Sequence, residues 1–212
     1  MSDPIIYGPA YSTYARSVRL ALEEKGVPYK LEPVDIIQGA ANAADHLSRQ
    51  PFAKVPAFEH DGFALYETAA IERYVDESFP GPKLQPQDPK QRARMTQIVS
   101  VIDSYAYPAL IGKCVWQRMV MPMIGQATDE GVIAEALPKI ETSVAALENL
   151  ADPSGPYLCG TAPSLADLHV APVMAYFSGT PEGQSLLAKS PKLSRWWQVM
   201  SARPSMFKTQ PN

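Results

Sequence analysis

The residues best placed to do chemistry in this 212-residue chain are Glu67 and Thr68. They open a helical pattern whose apolar positions are Ala70, Ile71, Tyr74 and Val75. A helix N-terminus offers unpaired backbone N–H groups and the positive end of the helix dipole, so it binds anions well. A carboxylate and a hydroxyl delivered there make a binding site, although an acidic first turn also suits a plain helix start. Just upstream, Val55 to Glu59 and Phe63 to Tyr66 read as strands joined by an Asp61-Gly62 turn. Pro56 stands against the first of these strands. It reads either as an ordinary edge-strand proline or as a cis peptide, which is rarer and purposeful.

A second group of hydroxyls precedes another helix. From Thr13 to Lys25, Ala15, Val18, Ala21 and Leu22 recur at helical spacing, with Gly26 suited to the C-cap and Pro28 beyond it. Ser12 and Thr13 at its start read first as caps, the commonest use of Ser and Thr there. Tyr7, Tyr11 and Tyr14 lie close by in sequence. The two cysteines, Cys114 and Cys159, form no C-x-x-C pair and read as reduced, core-filling thiols. His46 reads as a surface histidine.

The elements that must position these groups change character along the chain. Pro4 to Tyr7 is a short apolar strand and Tyr29 to Val34 a second, so the helix between them makes a parallel crossover. The Ala-rich stretch from Gly39 to Arg49 reads as a short irregular helix, and the hairpin and final helix to Phe79 complete a βαβ-ββα order. Pro80, Pro82, Pro86 and Pro89 mark a stiff linker. Beyond it nothing reads as strand. Gln91 to Met121 carries a long helical pattern that Pro108 can kink, and Gly131 to Leu150 a second. Ser164 with Asp167 is a variant capping box, and Pro181 to Lys189 and Leu193 to Ala202 read as further helices. The expected boundaries are residues 1–80 for an α+β domain, 81–89 for the linker and 90–212 for an all-α domain.

Composition narrows the function. Apolar residues make up 46% and charged residues 19%, with a net charge of −3, as in ordinary globular proteins. No basic face such as nucleic-acid binding requires is visible beyond pairs like Arg92 and Arg94. The most apolar region, Tyr105 to Gly125, is interrupted by Lys113 and Arg118, so no membrane span is expected. The first residues lack the basic and apolar regions of a secretion signal, which points to the cytoplasm.

Taken together, the Pro51–Pro56 segment, the Glu67-Thr68 pair, the linker and the Ser164–Asp167 helix start resemble the cytosolic glutathione transferase family over nearly the whole chain. The run Tyr7-Gly8-Pro9-Ala10-Tyr11-Ser12-Thr13-Tyr14-Ala15-Arg16-Ser17-Val18 is similar to its serine-type (phi- or theta-like, bacterial-looking) members. That resemblance implies a thioredoxin-like first domain that binds glutathione as co-substrate and a helical second domain that helps to bind an electrophile. It implies no metal, a small-molecule electrophile, a homodimer, and no nucleic-acid or membrane partner.

Residue by residue, the resemblance implies that Ser12 faces the glutathione sulfur, with Thr13 and Tyr7 as rivals. A serine is too weak an acid to serve as base here, but its hydroxyl can donate to a thiolate and favour the charged form. Val55 would pair its backbone with the cysteinyl unit, as an added strand does, and Pro56 would be cis. Glu67 would accept from the γ-glutamyl ammonium and Thr68 would hold its carboxylate. The basic pair that serves the glycyl carboxylate in phi-type members is replaced by Ala41 and Asn42, which leaves Lys54 as the nearby cation and His46 as another donor, the alternative to its surface reading. Tyr11, Tyr14, Tyr105 and Trp116 would line the electrophile pocket, while Tyr107 and Met119 share the helix of the last two. Phe52 would plug into a partner subunit or pack within its own chain. The expected activity is attack of the glutathione thiolate on a hydrophobic electrophile. Glutathione-dependent cleavage, isomerisation or dehalogenation, and a non-catalytic binding module, are the alternatives.

Overall fold

The computed structural model describes residues 2–37 and 39–211, and its first unit is built outward from strand β1, Ile5–Tyr7. Alternation sets its faces: Ile6 is fully buried, while Ile5 and Tyr7 are half-buried on the other side. Strand β2, Lys30–Glu32, lies parallel to β1, and β3, Ala57–His60, lies antiparallel on its other side. Strand β4, Phe63–Tyr66, closes a sheet of order β2-β1-β3-β4. Leu31, Ile6, Phe58 and Leu65 stand in register across it. Asp61 and Gly62 both take positive φ (49° and 79°), which is how a two-residue turn follows the strand twist.

Helix α1, Thr13–Lys25, begins at the Ser12 N-cap and ends at Gly26 with φ 68°. Its buried Ala15, Val18 and Leu22 meet helix α3, Thr68–Ser78, which buries Ile71 and Val75. The ion pair Lys25–Asp76 ties the two helices inside the core at 3.1 Å, and Asp76 also accepts from the Leu84 N–H at 2.8 Å. The stretch expected as one irregular helix is a single tight turn, Ala40–Asn42, followed by helix α2, Ala44–Leu47. β2 and β3 are shorter than or shifted from their expected spans.

The first compact unit comprises Met1–Gln85 and Ala202–Asn212, and the second Pro86–Ser201. The return of the C-terminal segment, with helix α9 at Pro204–Lys208, is unlike the expected division of the chain. It is held by long-range polar contacts. Arg16 donates to the Met206 carbonyl at 2.9 Å and Arg19 to the Thr209 carbonyl at 3.1 Å. Arg203 also pairs with Glu24.

The second unit is helical, without a ladder strand among its described residues. Helix α4 runs from Pro89 to Met123. Pro108 sits inside it, and its backbone bonding opens to the wider i→i+5 pattern over Ile102–Ala106 and Leu110–Val120. The expected kink is thus drawn out into two π-type stretches. By length and composition α4 is apolar enough to cross a membrane, contrary to the expectation from sequence. Ile98, Ile102, Leu110 and Val115 are buried inside the unit, so packing accounts for part of that apolarity: 44% of the most apolar window is buried. Helices α5 (Glu130–Leu150), α6 (Leu165–Phe177), α7 (Pro181–Ala188) and α8 (Pro191–Ser201) complete the bundle. At the start of α6 the expected capping box forms, and the buried Asp167 accepts from the Ser164 N–H at 2.7 Å.

Candidate functional site

Two helix starts and one open strand end carry the polar groups of the first unit. At α3, Glu67 occupies the N-cap with φ 70° and ψ 112° and gives no side-chain cap to its own helix. That conformation is costly for a residue with a Cβ and is seldom kept without a use. The Glu67 carboxylate is exposed, and the Thr68 hydroxyl has no hydrogen-bond partner among the described residues. The first amides of α3 are thus without a side-chain cap from Glu67, and the Thr68 beside them is buried. A hydroxyl and a carboxylate at a helix start have the chemistry to receive a carboxylate and an ammonium together.

The strand end lies immediately before β3. The Val55–Pro56 bond is cis. The Val55 N–H and C=O have no partner among the described residues, so one backbone edge is open to an extended peptide. The loop leading to it is held from within. Gln50, 2% exposed, accepts from the Phe52 N–H at 2.7 Å and from the Lys54 N–H at 3.2 Å. Ala53 between them has φ 53°. Sequence reasoning passed over Gln50, whose type is common in loops; only the fold shows what its amide holds. His46, expected at the surface, is 4% exposed, with its Nε2 at 2.7 Å from the Lys54 carbonyl. The ring lies under the loop, where the Lys54 carbonyl eight residues on meets its Nε2.

At α1, the Ser12 Oγ accepts from the Ala15 N–H at 3.3 Å, so the plain cap is real. A hydroxyl that accepts in this way keeps its proton for another partner, and none takes it among the described residues. Thr13 is the first helical residue and is buried. Tyr7 is differently occupied. Its hydroxyl donates to Glu59 at 3.3 Å, and the Arg49 guanidinium lies 4.4 Å above its ring. Burial, then the negative Glu59 beside it, push the Tyr7 phenol above its ordinary value. Tyr11 is 36% exposed with its hydroxyl 3.5 Å from Asp35, and Tyr14 lies half-buried in the first turn of α1.

Lys54 is exposed, and no ion pair engages its ammonium among the described residues. Ala41 is buried and Asn42 exposed. On α4 of the second unit, Tyr105 and Trp116 are exposed (69% and 44%), while Tyr107 and Met119 are half-buried. Tyr105 lines a groove of about 590 Å³ between α4 and α5 with the apolar Val101, Pro108, Val132 and Ala136, and the charged Lys113, Glu135 and Lys139 line it too. Phe52 is 64% exposed and meets Tyr66 edge-on, with ring centroids 6.0 Å apart. No cluster of metal-ligating side chains occurs among the described residues.

A thioredoxin-like unit with an open strand end and an uncapped helix start, followed by an all-helical unit, defines a class of two-part glutathione-dependent enzymes. This chain belongs to the glutathione S-transferase family: residues 4–77 match its N-terminal domain and residues 107–204 its C-terminal domain. It is 33% identical to a glutathione S-transferase of Hyoscyamus muticus over 205 residues, covering 96% of this chain and 95% of that protein. Glutathione transferase F7 of Populus trichocarpa has the same fold at a TM-score of 0.86 and 31% identity, with 97% of both chains covered. Glutathione S-transferase I from maize, solved with an atrazine glutathione conjugate, matches at a TM-score of 0.82 and 28% identity, covering 98% and 96%. These relatives are plant proteins, and they say nothing of a bacterial source.

Proposed function

We propose that this glutathione transferase is of the serine type, with the Ser12 hydroxyl as the donor that holds glutathione sulfur as thiolate. The observation that carries this reading is the Ser12 proton. It is uncommitted at the start of α1, whereas the Tyr7 proton is given to Glu59. Glutathione supplies the nucleophilic sulfur, and its thiol proton leaves to solvent because a serine cannot accept it at neutral pH. The Ala15 N–H donating to Oγ polarises the hydroxyl and makes it a stronger donor. The positive end of α1 favours the same charge.

The rest of the site fits the tripeptide. Thr68 and the α3 amides suit the γ-glutamyl carboxylate, Glu67 its ammonium, the Val55 backbone the cysteinyl unit and Lys54 the glycyl carboxylate. Within the first unit Tyr11 and Tyr14 are the aromatic side chains suited to a hydrophobic electrophile, and within the second unit Tyr105 and Trp116 are. The atrazine conjugate held by the maize protein supports an electrophile of that kind. A second copy of the chain is the macromolecular partner.

The experiment is calorimetry with glutathione and turnover of an aryl halide by wild type, Ser12→Ala, Thr13→Val and Tyr7→Phe. Hydrogen bonds to charged groups contribute about 1.5–3 kcal/mol, so Ser12→Ala is expected to lower kcat/KM about 10- to 100-fold. Its bound thiol, followed by thiolate absorbance, titrates about one to two units higher. Glutathione affinity stays near wild type, and Tyr7→Phe stays within about twofold. Full activity in Ser12→Ala with loss in Tyr7→Phe or Thr13→Val assigns the sulfur to the other hydroxyl. Glutathione binding without turnover of any electrophile leaves a binding module.

A further inference from the structure

We propose that His46 is a positioning residue for thiol binding, which acts through the Lys54 carbonyl to set the direction of the Val55 N–H. The inference rests on the reading of Val55 as the backbone anchor of the cysteinyl unit. A carbonyl oxygen only accepts, so at 2.7 Å from Lys54 O the His46 Nε2 carries the hydrogen. The Lys54–Val55 peptide is trans, because the cis bond here is the next one, Val55–Pro56. In a planar trans peptide the C=O and N–H point in opposite directions and turn as one body. Fixing the Lys54 oxygen against α2 therefore fixes the Val55 N–H away from it, and any tilt of the first is a tilt of the second.

The remaining contacts agree. The Lys54 N–H is held by Gln50, so both backbone polar groups of Lys54 are clamped by buried side chains that precede it in the chain. The loop needs such holding, because Ala53 keeps φ 53° without the freedom of a glycine. The Val55 N–H, the group so aimed, has no partner among the described residues. Packing alone is a poor reason for an imidazole at this place. Its Nδ1 is buried without a hydrogen-bond partner among the described residues, a cost that a leucine of similar bulk avoids. The bond to Lys54 is what the ring provides in return.

The test compares wild type, H46L and H46Q by calorimetry with glutathione and by steady-state kinetics over glutathione. One hydrogen bond of ordinary strength corresponds to about a fivefold effect. H46L is expected to raise glutathione Kd and KM about fivefold with kcat at saturating glutathione within twofold. H46Q, whose amide N–H reaches the same carbonyl, returns Kd to within about twofold of wild type. Should H46L not fold, H46N, too short to reach Lys54, takes its place against H46Q. Unchanged Kd in the folded variant, or equal loss in H46L and H46Q, overturns the proposal. If Glu67→Gln and Thr68→Val weaken glutathione binding while the His46 variants do not, the site stands and only this role falls. If the wild type itself binds no glutathione, the Val55 reading falls and takes the role of His46 with it.

Discussion

The Ser12 hydroxyl and the two thiols are placed in opposite ways in this protein. Ser12 keeps its proton available at a helix start, whereas the two thiols are kept protonated and out of reach. Burial, the largest influence on each, pushes Cys114 up to about 11 and Cys159 up to about 12. Near Cys114 the Glu182 carboxylate, 3.5 Å from the sulfur, adds to the rise, while a contact from Thr180 opposes it. At pH 7.5 the thiolate fraction of either residue is below about one part in a thousand, and the thiolate is the reacting form. Iodoacetamide at that pH is therefore expected to leave the native chain unlabelled and to label both cysteines in urea. Rapid labelling of the native protein at either position would contradict the burial argument. The same shifts give a sign for stability. The folded state keeps protons that the unfolded thiols release above their ordinary value of about 9. Their contribution is complete below about pH 9 and is lost as pH rises through 11 and 12, so the urea midpoint should fall between pH 7.5 and 10.

At the scale of elements, the start of α6 is where one side chain holds the most. Asp167 is fully buried and accepts from Ser164 N–H, Ser164 Oγ, Leu158 N–H and Trp196 Nε1, all within 2.8 Å. Burial pushes its carboxyl up, and those four donors pull it back. Asp167→Ala strands several buried donors, each costing about 1–3 kcal/mol, so a loss of at least about 3 kcal/mol is expected. In thermal unfolding that is a fall of roughly 10 °C for a chain of this size, and a fall of less than about 3 °C would contradict it. This helix start was legible from Ser164 and Asp167 because capping is a rule of three-residue spacing. The Ser12 and Gly26 ends of α1 and the Asp61-Gly62 turn were legible for the same reason: their chemistry is local. The burial of His46 was not, since nothing near it in sequence shows that the chain folds back over its ring. The return of Ala202–Asn212 depends on Arg16, Arg19 and Glu24 finding partners more than 170 positions away. The positive φ of Ala53 and Glu67 went unseen because both residue types argue against it. Such choices are made by tertiary context, which a local pattern does not contain.

On the scale of the whole molecule, each unit presents an apolar feature that its own core does not use. The first shows Phe52 at 64%, Phe63 at 50% and Tyr66 at 38% exposure, around the loop before β3 and along the edge strand β4. The second has the groove of about 590 Å³ between α4 and α5, floored by Val101, Val132 and Ala136. In the proposed homodimer the exposed aromatic of one copy and the groove of the other are candidates for one contact. A twofold pair uses each of them twice, the economical closed arrangement for identical subunits. An exposed edge strand bearing aromatics is also a surface that proteins seldom leave uncovered. The homodimer proposed above would then seat Phe52 of one copy in the groove of its partner, which would take Tyr105 out of the electrophile surface. A central aromatic anchor of this kind contributes about 2 kcal/mol or more, equivalent to roughly a 30-fold change in dimer dissociation. Phe52→Asp removes the ring that would fill the groove; because Lys113 and Lys139 also line it, the expected loss is that of the ring and not of the charge. In sedimentation at micromolar concentration the wild type is expected to show the mass of two chains and Phe52→Asp that of one. Circular dichroism should be unchanged, because Phe52 lies outside the core. A wild type that sediments as a monomer, or a Phe52→Asp variant that remains fully paired, would leave the groove without this occupant.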